Sequence, residues 1–220
     1  MRSTLALDHL LWGVADLERG CRRFAELTGV EAVPGGTHPG FGTRNALAQL
    51  GDGVYLEIIA LDPLQPSGGA WARKVAHLAE PGLIAFAVRT ADLDAAREAA
   101  RAAGIATGAP VPMSRTRPDG VRLEWSIMEA DDAAFDGLLP FFIDWRGSPH
   151  PTGGLPSGCR LLFIAARHPE AHRLARIYAA LDIPVSVEEG PPGLHARIET
   201  PKGIVSLGPP GSVARAGDPG

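Results

Sequence analysis

Residues Gly35 to Ile59 read GGTHPGFGTRNALAQLGDGVYLEII. A Gly/Pro-rich loop carrying His38 leads into two alternating runs, and Gly51-Asp52-Gly53 between them fits a hairpin turn. On the second run a lone carboxylate, Glu57, stands among apolar neighbours. Successive strand residues point to opposite faces, so Tyr55, Glu57 and Ile59 share one face and Val54, Leu56 and Ile58 the other. The wholly apolar face is expected under helices, which leaves the acid looking into a cavity. A buried carboxylate needs a partner, so Glu57 is a candidate ligand, catalytic base or ion-pair member.

Upstream, Leu5 to Val14 (LALDHLLWGV) is an apolar, strand-like run. Asp16 then caps a helix over Leu17–Leu27 that Gly29 ends, with Leu17, Cys21, Phe24 and Leu27 on one side. With short strands at Val30–Val33, Arg44–Leu50 and Gly53–Ala60, the order is β-α-β-β-β. Downstream, the breaker cluster Pro63 to Gly69 precedes a helix around Trp71–Leu78, and the pattern then returns. Gly82–Arg89 is strand-like, Asp92 caps a helix ending at Gly104, and strands are expected at Val111–Arg115, Arg122–Met128 and Pro140–Trp145. A Pro118-Asp119-Gly120 turn introduces the second of these three.

HLLWGV-ADL (His9 to Leu17) aligns with LIAFAVRTADL (Leu83 to Leu93), and YLEII (Tyr55 to Ile59) with FIDWR (Phe142 to Arg146), which sets Glu57 against Asp144. A weaker third copy starts at RLLFIA (Arg160 to Ala165). The expected units are 1–61, 82–147 and an incomplete 158–208, followed by a frayed tail at 209–220.

Composition narrows the function. A net charge of −4 and scattered Lys and Arg give no footprint for nucleic acid or an anionic membrane. With 45% hydrophobic residues, the 27 Gly and 20 Pro signify tight turns rather than disorder. Cys21 and Cys159 stand far apart, in no metal-type spacing, and read as reduced structural thiols. No apolar run reaches the ~18 residues of a membrane span, so a cytoplasmic protein is expected.

The segments LDHLLWGVADLE, GGTHPGFGTRNALAQLGDGVYLEII and LLPFFIDWRGSPHP, in that order, resemble the glyoxalase-like domain family. This is a branch of the vicinal oxygen chelate superfamily, which also holds glyoxalase I, bleomycin-resistance proteins and extradiol dioxygenases. The resemblance implies an α+β fold in which repeated β-α-β-β-β modules form a curved sheet around a cup. It also implies a small-molecule ligand inside, with lyase, isomerase or oxygenase-type chemistry, or metal-free sequestration as the alternative. In that superfamily the positions of His9 and Glu57 hold a divalent metal. Here Leu83 and Arg160 stand where further histidines are expected, so His38 and Asp144 would have to complete such a set.

The remaining candidates follow from residue chemistry. His38 and Glu57 are candidate catalytic groups. One of Arg44 and Asn45 must point inward, the first suited to an anion and the second to a neutral hydrogen bond. Tyr55, Trp125 and Asp144 are candidate ligand contacts, although a Trp in the position of Trp125 is more often core than aromatic wall. A homodimer is one expected assembly.

Overall fold

The computed structural model describes residues 5–66, 68–116, 120–131, 133–135 and 137–215. The first unit consists of β1 (Ala6–Gly13), α1 (Leu17–Thr28), β2 (Val33–His38), β3 (Thr43–Gln49) and β4 (Tyr55–Leu61). The Asp16 side chain accepts from the Arg19 amide at 2.7 Å and so satisfies a free N–H of the first turn of α1. Gly29 ends the helix in the left-handed conformation (φ 79°), returning its N–H to the Ala25 carbonyl. The buried side of α1, with Leu17, Phe24 and Leu27, packs on Leu10 and Trp12 of β1. At the hairpin between β3 and β4, Gly51, Asp52 and Gly53 all have positive φ (77°, 49° and 73°). The expected loop around Gly35 is instead strand: β2 begins later than the sequence suggests and carries His38 at its end.

After α2 (Ala70–Ala76) the second unit repeats the order with β5 (Gly82–Arg89), α3 (Leu93–Ala102), β6 (Ala106–Thr107), β7 (Val111–Thr116), β8 (Arg122–Met128), β9 (Ala130–Asp131) and β10 (Phe141–Asp144). Residues 118 and 119 of the expected Pro118-Asp119-Gly120 turn lie outside the described residues. Eight strands form one sheet in the order β2-β3-β4-β1-β5-β10-β8-β7. Within each unit the first strand runs parallel to the last, β1 to β4 and β5 to β10, and the units join through the antiparallel β1–β5 pair. The edges β2 and β7 approach each other, and the Arg115 guanidinium on β7 donates to the Gly35 carbonyl on β2. The sheet therefore curves into a nearly closed cup, as expected.

Strand alternation sorts the two surfaces. Leu10, Trp12, Leu56, Ile58, Phe86 and Phe142 pack outward under helices, while Leu11, Ile59, Ala85, Ala87, Ile143 and Trp125 face inward. Part of the cup is filled by α2, whose Val75 is buried among the inward set.

The third unit, β11 (Arg160–Arg167), α4 (Ala171–Leu181), β12 (Ser186–Glu188), β13 (Gly193–Thr200), β14 (Gly203–Leu207) and β15 (Val213–Arg215), builds a separate sheet in the order β12-β11-β13-β14-β15. Its first strand pairs in parallel with the strand that follows the helix, not with a fourth strand, so it is wired differently from the other two. It covers the outer side. Leu174, Ile177 and Tyr178 of α4 join the core beneath the cup, and the Tyr178 hydroxyl donates to the Leu138 carbonyl. The expected frayed tail is in part a strand, since Val213–Arg215 pairs with β14.

Candidate functional site

Inside the cup, the first unit supplies a polar cluster and the second an aromatic wall. His9, His38, Asn45, Tyr55 and Glu57 line the cavity from β1 to β4, facing Met113, Trp125, Ile127, Phe141, Ile143 and Trp145. About 590 Å³ of space lies between atoms out to the mouth.

Glu57 is 7% exposed and has two donors. The Asn45 amide (Nδ2) reaches Oε1 at 2.7 Å, and the His9 ring (Nε2) reaches Oε2 at 3.3 Å. The other ring nitrogen of His9 (Nδ1) lies 2.6 Å from Asp8 Oδ1. His9 thus lies between two carboxylates. Burial opposes its charge and is the largest single influence, but the hydrogen bonds to Asp8 and Glu57 outweigh it and raise its pKa to about 9. Burial likewise opposes the Glu57 charge, yet the His9 hydrogen bond, the charge of His9 and the Asn45 hydrogen bond bring its pKa down to about 2. Tyr55 stacks on the His9 ring at 4.5 Å and 17°, an arrangement suited to a cation against an aromatic face.

Asp8 is fully buried and was not legible as a site residue, because in a regular strand it points away from His9. The β1–β5 pairing slips between Leu7 and His9, and this bulge places the Asp8 carboxylate against the His9 ring. Its other oxygen accepts from the Trp145 indole and from His150, each at 3.1 Å. Burial would raise the pKa of Asp8, but hydrogen bonds from His150 and His9 hold it well below the usual carboxylate range. Arg115, Trp145 and His150 also stand at the site without having been singled out as candidates.

His38 differs from His9. Its Nδ1 bonds the Thr43 hydroxyl at 2.8 Å and its Nε2 lies 3.2 Å from the Asn45 amide nitrogen, the pattern of a neutral ring donating through Nδ1. Burial lowers its pKa, and the positive charges of Arg115 and His9 add to that against the pull of Glu57. Trp125 lines the cup and meets the edge of His38, with ring centroids 6.5 Å apart.

Two candidates lie elsewhere. Asn45, not Arg44, is the inward member of its pair; Arg44 makes a two-pronged bond to Glu18 of α1 at 2.7 and 2.9 Å on the outer side. Asp144 is half-buried and accepts the Arg146 amide at 2.8 Å. The residues of its strand that face the cup are Phe141 and Ile143, followed by Trp145. The alignment of YLEII with FIDWR was one residue out of register, which exchanges the two faces of a strand. Glu57 therefore has no acidic counterpart.

The donor set does not fit a divalent metal. Among the described residues no group of three or more His, Cys, Asp or Glu side chains is placed to hold one. The Asn45 amide, a donor, lies between His38 and Glu57 where a cation would be needed, and both His9 nitrogens are turned to carboxylates. The inward residues of β5 are Ala85 and Ala87, which offer no ligand atom.

Among the described residues, no helix is long and apolar enough to cross a membrane. No curated protein matches the chain in sequence. A hypothetical protein from Staphylococcus aureus shares the fold, with a TM-score of 0.64 at 16% identity over 90% of this chain and 82% of that one. A methylmalonyl-CoA epimerase from Streptomyces coelicolor aligns with a TM-score of 0.48 at 21% identity, over 68% of this chain and 100% of its own. One from Mycobacterium tuberculosis gives 0.41 at 22%, over 62% and 84%. The model of the glyoxalase-like domain matches residues 7–182, most of the sequence, and the two joined β-α-β-β-β units around a cup are the fold of the vicinal oxygen chelate superfamily. The chain belongs to the glyoxalase-like domain family.

Proposed function

We propose that the chain binds a compact small molecule in the cup, without a metal ion, by presenting Glu57 to a hydrogen-bond donor or positively polarised group of the ligand. The setting of Glu57 carries this reading. It is held ionised by His9 and Asn45, and a carboxylate accepts about four hydrogen bonds, twice as many as these two supply. Opposite it, Trp125, Phe141 and Ile143 offer an apolar wall for the body of the ligand. A pKa of about 2 makes Glu57 a weak proton acceptor at neutral pH, which favours recognition or sequestration over proton abstraction by this residue.

Calorimetric titration with small phenols, catechols and hemithioacetals tests this. One saturable site per chain is expected, weakened about 10- to 100-fold in Glu57→Gln, the range for a buried hydrogen bond to a charged group. Ligands that bind Glu57→Gln as tightly as the wild type would remove the basis of the proposal.

A second reading, lyase- or isomerase-type proton transfer, rests on His38. Its ring is neutral, is anchored through Nδ1 on Thr43 and lines the cup, and its Nε2 is free to take a proton once the Asn45 amide, 3.2 Å away, turns aside. It predicts exchange of a ligand C–H proton with deuterated water that disappears in His38→Ala. Binding without exchange would leave the first reading alone.

A further inference from the structure

The cup is open at its mouth, so a ligand held at Glu57 can extend outward. A groove continues from it, sharing Phe41, Met113 and Trp125 with the cup wall. The groove is lined differently from the cup. Beyond the three shared residues come Ser114, Arg122, Glu124 and Arg146. Arg122 pairs with Glu124 at 3.0 Å, whereas Arg146 reaches only a neutral hydroxyl, that of Ser126, at 3.2 Å among its described side-chain bonds.

The turn that carries Arg146 is held in place by its backbone. The Arg146 φ of 51° is unusual for a residue with a side chain, and the Asp144 carboxylate holds its amide at 2.8 Å. The hydroxyl of Ser148 and the backbone of Glu124 tie the same turn to β8 by a reciprocal pair of bonds, both 2.9 Å. The path from the cup to the groove therefore runs from a buried anion, past aromatic rings, to a surface with a surplus of positive charge.

We infer that this groove is an outer subsite for an anionic group, so that the ligand has a donor-bearing head at Glu57, a flat apolar middle and a carboxylate, phosphate or sulfate tail at Arg146 and Arg122. The inference rests on the cup reading above and specifies its ligand class.

The test uses three acids of increasing reach, 4-hydroxybenzoate, 4-hydroxyphenylacetate and 3-(4-hydroxyphenyl)propionate, each beside its neutral carboxamide, titrated by calorimetry at low salt. At least one acid is expected to bind about two- to fivefold tighter than its amide, the range for ion pairs at a partly exposed site. That advantage should shrink at high salt and vanish in the Arg122→Ala/Arg146→Ala double variant, with amide affinity unchanged. Equal binding of every acid and its amide overturns the subsite, as does an acid advantage that survives in the double variant. Absence of binding by all six overturns the ligand class. Glu57→Gln separates the two readings. Amides that bind it like the wild type remove the head from Glu57, while an acid preference lost only in the double variant still supports the groove.

Discussion

The sharpest consequence of the Asp8–His9–Glu57 arrangement is a pH dependence of stability. The His9 pKa is raised from 6.5 to about 9 in the fold. With each pKa unit worth about 1.4 kcal/mol, the charged form contributes on the order of 3 kcal/mol. A raised pKa gives its full contribution below the unfolded value, so this stability is present below pH 6.5 and is lost as pH rises through about 9. Glu57, lowered from 4.5 to about 2, works in the opposite sense: its contribution is present above pH 4.5 and lost as pH falls towards 2. The two describe one ion pair from its two ends and are not summed. The informative perturbation is His9→Gln, which keeps a hydrogen-bonding side chain but removes the charge. Urea unfolding of wild type and variant, from pH 5.5 to 9.5, should show a gap of about 3 kcal/mol at the acid end that narrows towards the alkaline end. Comparing the two proteins at each pH cancels other titrating groups. A gap of constant size across that range would show that His9 is not held charged, and would refute the reasoning.

Other substitutions probe the cup and its surroundings. Gly35→Ala would place a Cβ 2.1 Å from Asn45 Oδ1, so the amide must leave Glu57; a loss of about 1–3 kcal/mol in urea unfolding and weakened ligand binding are expected. Arg44→Ala removes a pair on the outer side, where its partner Glu18 is more than half exposed, and should cost less than about 1 kcal/mol while leaving ligand affinity unchanged. Purified protein should carry no stoichiometric Fe, Zn, Ni, Mn or Co by elemental analysis. Chelation should leave its melting temperature in place, because only a ligand that binds the native state raises it.

Much of the architecture was legible because it rests on local chemistry. Asp16 and Asp92 as caps, Gly29 as a stop, the Gly51–Gly53 turn and the alternation on β4 each follow from one or two residues and recur in the fold. Glu57, His9, Tyr55 and Asn45 share the cup because strand parity alone puts them there. What failed depended on counting across irregularities. Pairing Tyr55 with Phe142 rather than Phe141 moved Asp144 to the wrong face, since a strand has no tolerance for an error of one. Asp8 was hidden by the converse effect, a bulge that overrides parity, and such slips have no signature in a single sequence. Arg115 and His150 reach the site from 107 and 142 positions away from Asp8 by chain closure, which spacing does not reveal. The third unit resembled a repeat in its element order, but order does not specify which strand lies beside which.

The duplicated scaffold is furnished differently on its two sides. Two matched halves with matched linings would offer a guest two poses of equal energy, related by the axis between β1 and β5. Here a carboxylate, two imidazoles and an amide stand on one half, against aromatic rings, aliphatic chains and the Arg115 guanidinium on the other, so that degeneracy is lifted. A guest has one way in and one way round. The cup is in consequence a handed environment, and the two enantiomers of a chiral guest should differ in affinity even where each fills the same volume.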